Sequence, residues 1–184
     1  MPALTTYEDR TLYSSWQVSY EYIERRNSAS ANLLRLWAYF DNQDLWYELV
    51  NHIRDEDHEW MRELVRDKLN FDHCMRVLCN HGLAEANASN VYEVESKGYG
   101  VHACVHSWMR AVLNANIDVD LKTVALKCVA SQVPEQSEPK WSVIQRRLME
   151  HADRCIEAVL EEAHNNSDLA WAYYNFGNLY RNQG

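Results

Sequence analysis

The stretch Tyr99-Gly100-Val101-His102-Ala103-Cys104-Val105-His106-Ser107-Trp108-Met109-Arg110-Ala111-Val112-Leu113 decides how this chain is read. Val101, Cys104, Val105, Trp108, Met109 and Val112 recur at the spacing of one helical face, so a helix with a buried stripe is expected here. His102 and His106 stand one turn apart and fall on the flank of that stripe. Gly98 and Gly100 mark where the chain leaves an extended segment and turns into the helix. A histidine in the first turn lies near the positive end of the helix dipole, where a ring N–H can reach an anionic oxygen such as that of a phosphate.

Upstream, Leu12, Trp16, Ser19, Tyr20 and Ile23 trace a helix from about Arg10 to Arg26, and Leu33, Leu36, Trp37 and Phe40 a second from Ser28 to Phe40. Asp41-Asn42-Gln43-Asp44 is a turn. Leu45 to Val50 reads as a short helix, and Asp55-Glu56-Asp57 opens another that carries Trp60, Leu64 and Val65. Phe71, Cys74, Met75 and Leu78 define a helix stopped at Asn80-His81-Gly82 by a glycine cap. The period then changes: Leu83 to Ala86 and Val91 to Glu95 read as two strands around Asn87-Ala88-Ser89-Asn90, with Tyr92 and Val94 on one face. Helices closed by a small hairpin, followed by re-entry into a helix, make a winged-helix layout.

Downstream, Leu121, Val124, Ala125 and Cys128 form a helix capped by Asp120 and ending before Pro134. The polar loop from Val133 to Lys140 is the clearest internal boundary. Trp141, Ile144, Leu148, Cys155 and Val159 give a long helix to about Glu162. Asn165-Asn166-Ser167-Asp168 breaks it and caps a last helix from Leu169 to Asn182. The fold class is therefore mainly α. The expected division is residues 1–114 as a winged-helix-like domain with its N-terminal helices, 115–164 as a helical linker, and 165–184 as the start of a repeat array.

Bulk composition agrees with that class. The chain has 184 residues, 47% of them hydrophobic, with only 5 Gly and 3 Pro, which favours helix. A net charge of −9 with no basic stripe disfavours nucleic acid as a partner, and eight acidic residues crowd between Asp41 and Glu63, where they would repel a phosphate backbone or an anionic membrane. No apolar run approaches a membrane span. Cys74, Cys79, Cys104, Cys128 and Cys155 are odd in number. With no signal-peptide pattern, they read as reduced and mostly buried thiols of a cytoplasmic protein.

The last helix reads Tyr173-x-x-Phe176-Gly177-x-x-Tyr180, the first-helix pattern of a tetratricopeptide repeat, in which a small glycine lets a partner helix pack closely. Only half a repeat is present. Two further stretches stand in order before it: Trp16-Gln17-Val18-Ser19-Tyr20-Glu21 with Ala31 to Asn42, and Val101 to Trp108. Together the three resemble the region of fungal NB-ARC/tetratricopeptide proteins that joins the nucleotide-binding module to the repeats. Those are signal-transducing STAND NTPases, relatives of NOD-like receptors of innate immunity. The resemblance spans roughly residues 7–184 and is weakest between Ile53 and Asn70.

The resemblance implies a nucleotide switch. The family's winged-helix domain ends in a Met-His-Asp motif whose histidine contacts the β-phosphate of bound ADP; Val101-His102-Ala103 occupies that place, with His102 as the matching histidine and Ala103 in place of the acid. It further implies an upstream nucleotide-binding domain and downstream repeats as partners within one chain, a protein ligand for the repeats, and ADP or ATP as cofactor of the parent protein. The stretch itself contains no G-x-x-x-x-G-K-[ST] and no acidic strand end, so by itself it is expected to hold no cofactor and to be no enzyme, the parent being an ATPase or GTPase. The alternative function is a stand-alone helical interaction module that ignores nucleotide.

Other chemistries have less behind them. His102 and His106 with Cys104 could suggest zinc, as could His73, Cys74, Cys79 and His81, but neither set has a usual ligand spacing and no metal is expected. Cys128 and Cys155 lie on apolar faces without an activating base. A DNA-reading helix at Phe71 to Cys79 would have Arg76 as its one fixed positive charge. Trp16, Trp37, Phe40 and Trp108 are expected core anchors, and His106 a structural residue.

Overall fold

Asn27 is the joint between the first two helices, α1 (Tyr7–Arg26) and α2 (Ser28–Trp37). Its Oδ1 accepts the Ser30 amide at 3.0 Å, which starts α2, while its own amide closes α1 on the Ile23 carbonyl at 2.7 Å. The computed structural model describes residues 7–51, 58–87, 97–160 and 167–182, mainly helical with one small antiparallel sheet. Because α2 is apolar on nearly every side, it is the central helix: Ala29, Ala31, Leu33, Leu34, Leu36 and Trp37 are all buried, with α1, α4, α5 and α7 around it.

Three short helices follow: α3 (Tyr47–Asn51), α4 (Glu59–Val65) and α5 (Lys68–Asn80). The acidic Asp55-Glu56-Asp57 expected to open α4 lies outside the described residues. Asp67 caps α5 by accepting the Asn70 amide at 2.9 Å. At its other end Gly82 sits at φ +66°, with Gly82 N–H on the Cys79 carbonyl and Leu83 N–H on the Leu78 carbonyl, both at 3.0 Å. That is a Schellman stop of the kind Asn80-His81-Gly82 predicts.

The small sheet uses a second strand that the spacing did not predict. Strand β1 (Glu85–Ala86) pairs with β2 (Tyr99–Gly100), Glu85 opposite Gly100 and Ala86 opposite Tyr99. The expected second strand, Val91 to Glu95 with Tyr92 and Val94, lies outside the described residues. Tyr99 is bonded on both sides: it also exchanges backbone bonds of 2.8 and 2.9 Å with Leu45 in the turn after α2. Gly98 and Gly100 therefore do more than turn the chain. A Cβ on Gly98 would collide with the Asp44 carboxylate, and one on Gly100 would stand 2.9 Å from Gln43 Oε1, so both let the turn lie directly on the strand.

From β2 the chain enters α6 (Ala103–Trp108), which continues as a π-helical turn over Met109–Leu113. The buried stripe is real at Val101, Val105, Trp108 and Met109, but Cys104 and Val112 are exposed. Two causes account for the change. His106 turns inward, and the wider π turn, closed by Asn114 N–H on the Met109 carbonyl at 3.0 Å, advances the register so that Leu113 faces the core in place of Val112.

Helix α7 (Val119–Ser131) is capped by Asp118, not by Asp120. Asp118 has the extended backbone a cap requires and accepts the Leu121 amide at 3.1 Å; its other oxygen meets Arg35 at 3.0 Å, and Asp120 falls within the first turn. After the polar loop, α8 (Trp141–Leu160) buries Leu148, Ala152 and Cys155, and a 3-10 turn at Ser167–Leu169 leads into α9 (Ala170–Arg181). Gln145 donates to the Leu179 carbonyl at 2.8 Å and Asn175 to the Ala130 carbonyl at 3.0 Å, which ties α9 to α8 and α7. One buried cluster runs from Tyr20 to Leu179, with Trp37, Phe40, Trp46, Phe71 and Trp108 at its centre; Trp16 is only half-buried, its ring 6.0 Å from that of Trp108. No helix among the described residues is long and apolar enough to cross a membrane.

Gly98→Ala is expected to destabilise the fold by about 1–3 kcal/mol, because the Asp44 side chain that the new methyl meets is itself clamped. Gly100→Ala should be milder, since the end of a glutamine side chain can move. Thermal unfolding of the two variants beside the parent checks the order.

Candidate functional site

Two backbone contacts set His102 in place before its side chain does anything. Val101 N–H donates to the Asn42 carbonyl at 2.8 Å, and the Val101 carbonyl accepts from the Asn42 side chain at 2.9 Å. The residue that follows is thereby lifted out at the rim of β2. His102 is the N-cap of α6, exposed, and its Nδ1 accepts the Cys104 amide at 3.2 Å. An imidazole accepting at Nδ1 carries its proton on Nε2, so the exposed ring offers one N–H donor. Ala103 and Cys104 beside it are exposed as well.

His106, one turn on, points the other way. It is buried, its Nε2 stands 3.1 Å from the Phe40 carbonyl, and burial followed by the Arg110 charge pushes its pKa below the ordinary value. The two histidines cannot share a ligand from these positions. His73 is exposed while Cys74 is buried, and His81 packs its ring 5.2 Å from that of Tyr22. Among the described residues no three His, Cys, Asp or Glu side chains are placed to hold a metal. Burial pushes the Cys74, Cys79 and Cys155 thiols up, away from the thiolate a nucleophile needs. On α5, Phe71, Cys74, Met75 and Leu78 face the core, which leaves Arg76 exposed.

The four residues of the α9 pattern divide between two faces. Phe176 is buried with Ala172 and Leu179 against α7 and α8. Tyr173 is 41% exposed, and a Cβ on Gly177 would have no heavy atom within 4 Å. Tyr180 is half-buried, its hydroxyl on Asp153 at 2.7 Å.

One cluster has no signal in the sequence. Arg147 of α8 grips Asp44 with two bonds, Nε to Oδ2 at 2.7 Å and Nη2 to Oδ1 at 2.9 Å, and its guanidinium lies 4.0 Å from the centroid of the Trp46 ring. One turn along, His151 Nδ1 accepts the Asp41 amide at 3.3 Å, Nε2 lies 3.3 Å from the Asp44 carbonyl, and the ring meets Phe40 edge-on. The partners are separated by 103 and 110 residues, and the turn Asp41 to Asp44 reads as polar surface until α8 covers it. No family model, curated protein or solved structure matches this chain.

Burial holds His151 neutral, its pKa pushed down from 6.5 to about 4. Above pH 6.5 the ring is neutral in both folded and unfolded chains. Between 6.5 and 4 the unfolded chain takes up the proton first, so stability falls as the pH drops through that window, by up to roughly 3 kcal/mol. Urea unfolding across that range should show this slope in the parent chain and a flatter one in His151→Gln.

Proposed function

We propose that this chain is a non-catalytic regulatory module of a STAND-type nucleotide-switched protein. In this reading α5, β1, β2 and α6 form the winged-helix part, α7 and α8 the linker, and α9 the first helix of a tetratricopeptide array. The observation that carries the proposal is the setting of His102, an exposed imidazole at a helix N-cap whose Nδ1 is occupied by the Cys104 amide. Its Nε2–H is then the donor available to a β-phosphate held by a neighbouring nucleotide-binding domain. Ala103 supplies no carboxylate, so the contact rests on the ring alone. The nucleotide would be ADP or ATP bound by the parent protein in the cytoplasm, and the module would convert presence or loss of that contact into a shift of α6 relative to the repeats.

His102→Asn separates the ring from the cap, because asparagine keeps an N-cap acceptor and loses the imidazole N–H. Calorimetry of ADP binding to the protein that unites this chain with its nucleotide-binding domain should show a loss of about 10-fold or more in affinity. Unchanged affinity removes the switch role.

A second reading, a stand-alone helical interaction module indifferent to nucleotide, is favoured by one observation. Trp171, Tyr173 and Tyr174 leave 44%, 41% and 68% of their surface open on α9, while the opposite face of that helix is buried.

A further inference from the structure

The open face of α9 has a regular order of sizes. Ala170, Tyr174, Gly177 and Arg181 follow one another at spacings of four, three and four residues, so they form one ridge along the helix, and all four are exposed. Small and large side chains alternate along it. Tyr174 stands out with 68% of its surface open, whereas nothing lies within 4 Å of where a Gly177 Cβ would be, which leaves a hollow one turn from a protruding ring. Trp171 and Tyr173 border the ridge on its two sides. The inner face is committed: Ala172, Phe176 and Leu179 are packed into the molecule.

We propose that this ridge pairs with the same ridge of a second copy of the chain, antiparallel about a two-fold axis, each Tyr174 ring seated over the other copy's Gly177.

Size and charge both select this occupant and this direction. Antiparallel pairing about a point between Tyr174 and Gly177 sets every large residue of the ridge against a small one, Tyr174 on Gly177 and Arg181 on Ala170. A parallel pair would set tyrosine on tyrosine and leave a void between the two glycines. The ends of α9 are oppositely charged, with Asp168 just before its first residue and Arg181 at its last. Antiparallel alignment brings each Arg181 to the other copy's acidic N-terminal end, where the helix dipole is opposed as well. A two-fold interface is self-complementary, so the one ridge supplies both halves. A 12-residue helix pair is small beside the interfaces of permanent dimers, which makes the association weak and dependent on concentration. The inference leaves the His102 contact of the switch reading untouched but competes with its repeat part, since a second repeat helix packed on Gly177 would cover the same ridge.

Sedimentation of the 184-residue chain over roughly 1 to 300 μM tests it. The parent chain is expected to pass from monomer to dimer within that range. Tyr174→Ala and Gly177→Leu should each raise the dissociation constant about 10-fold or more, the first by removing the knob and the second by filling the hollow. Both sites are exposed, so circular dichroism should show an unchanged fold. Leu69→Ala, which trims an even more exposed apolar side chain elsewhere, should leave the dimer intact. A chain that stays monomeric throughout overturns the proposal and leaves the face to another helix or another protein. A dimer indifferent to both α9 substitutions overturns it too.

Discussion

Arg147 leaves water almost completely to reach Asp44, with only 3% of its side chain still exposed. Desolvating a guanidinium in this way is tolerable because strong contacts replace the lost hydration, among them two charge-assisted hydrogen bonds and the face of Trp46. The pair joins a helix late in the chain to a turn early in it. That turn is under some strain, since Asp44 holds φ at +57°, and it is pressed against Gly98 where no side chain could fit. His151 and the Asp41 amide close the same joint one helical turn away. Removing the Asp44 carboxylate would cost the buried Arg147 guanidinium both of these bonds, so the joint behaves as a unit.

The same turn positions the surface on which the functional proposal rests. Asp44 is held from one side by α8; two residues earlier, Asn42 holds Val101 through both backbone and side chain. His102 comes next in the chain and is displayed at the start of α6 as a result. A continuous set of contacts thus leads from Arg147 through the turn to the exposed imidazole. The buried His106 secures α6 from below by its bond to the Phe40 carbonyl, at the beginning of that turn. Two histidines one turn apart have opposite settings, one in solvent and one in the core, because the helix that carries them lies at the edge of the cluster.

Much of this architecture is legible in the residues. Helical spacing places α1, α2, α5, α7, α8 and α9 within a few residues of their bounds, and Gly82 announces the end of α5 because a left-handed stop there suits glycine. Trp37, Phe40 and Trp108 are as buried as their position on apolar faces predicts. Errors arise where a local pattern has two solutions that only distant contacts distinguish. Asp118 and Asp120 both suit a helix start, and it is Arg35, 83 residues away, that meets the first. Val112 and Leu113 both fit an inward position, and the π turn chooses Leu113.

By itself, the sequence determined that the chain is helical, where most of its helices begin and end, and that Trp37, Phe40 and Trp108 lie in the core, since these follow from short-range spacing and burial of apolar surface. It also marks His102 as a candidate through a local motif. Tertiary structure alone decided that β2 pairs with Glu85–Ala86 and the Leu45 turn, that His102 faces solvent while His106 does not, and that Arg147 and Asp44 meet. The physical reason is range. Helical hydrogen bonds close over four residues and leave a periodic trace in the sequence, whereas strand pairing and buried ion pairs join segments that share no local pattern until the chain has folded.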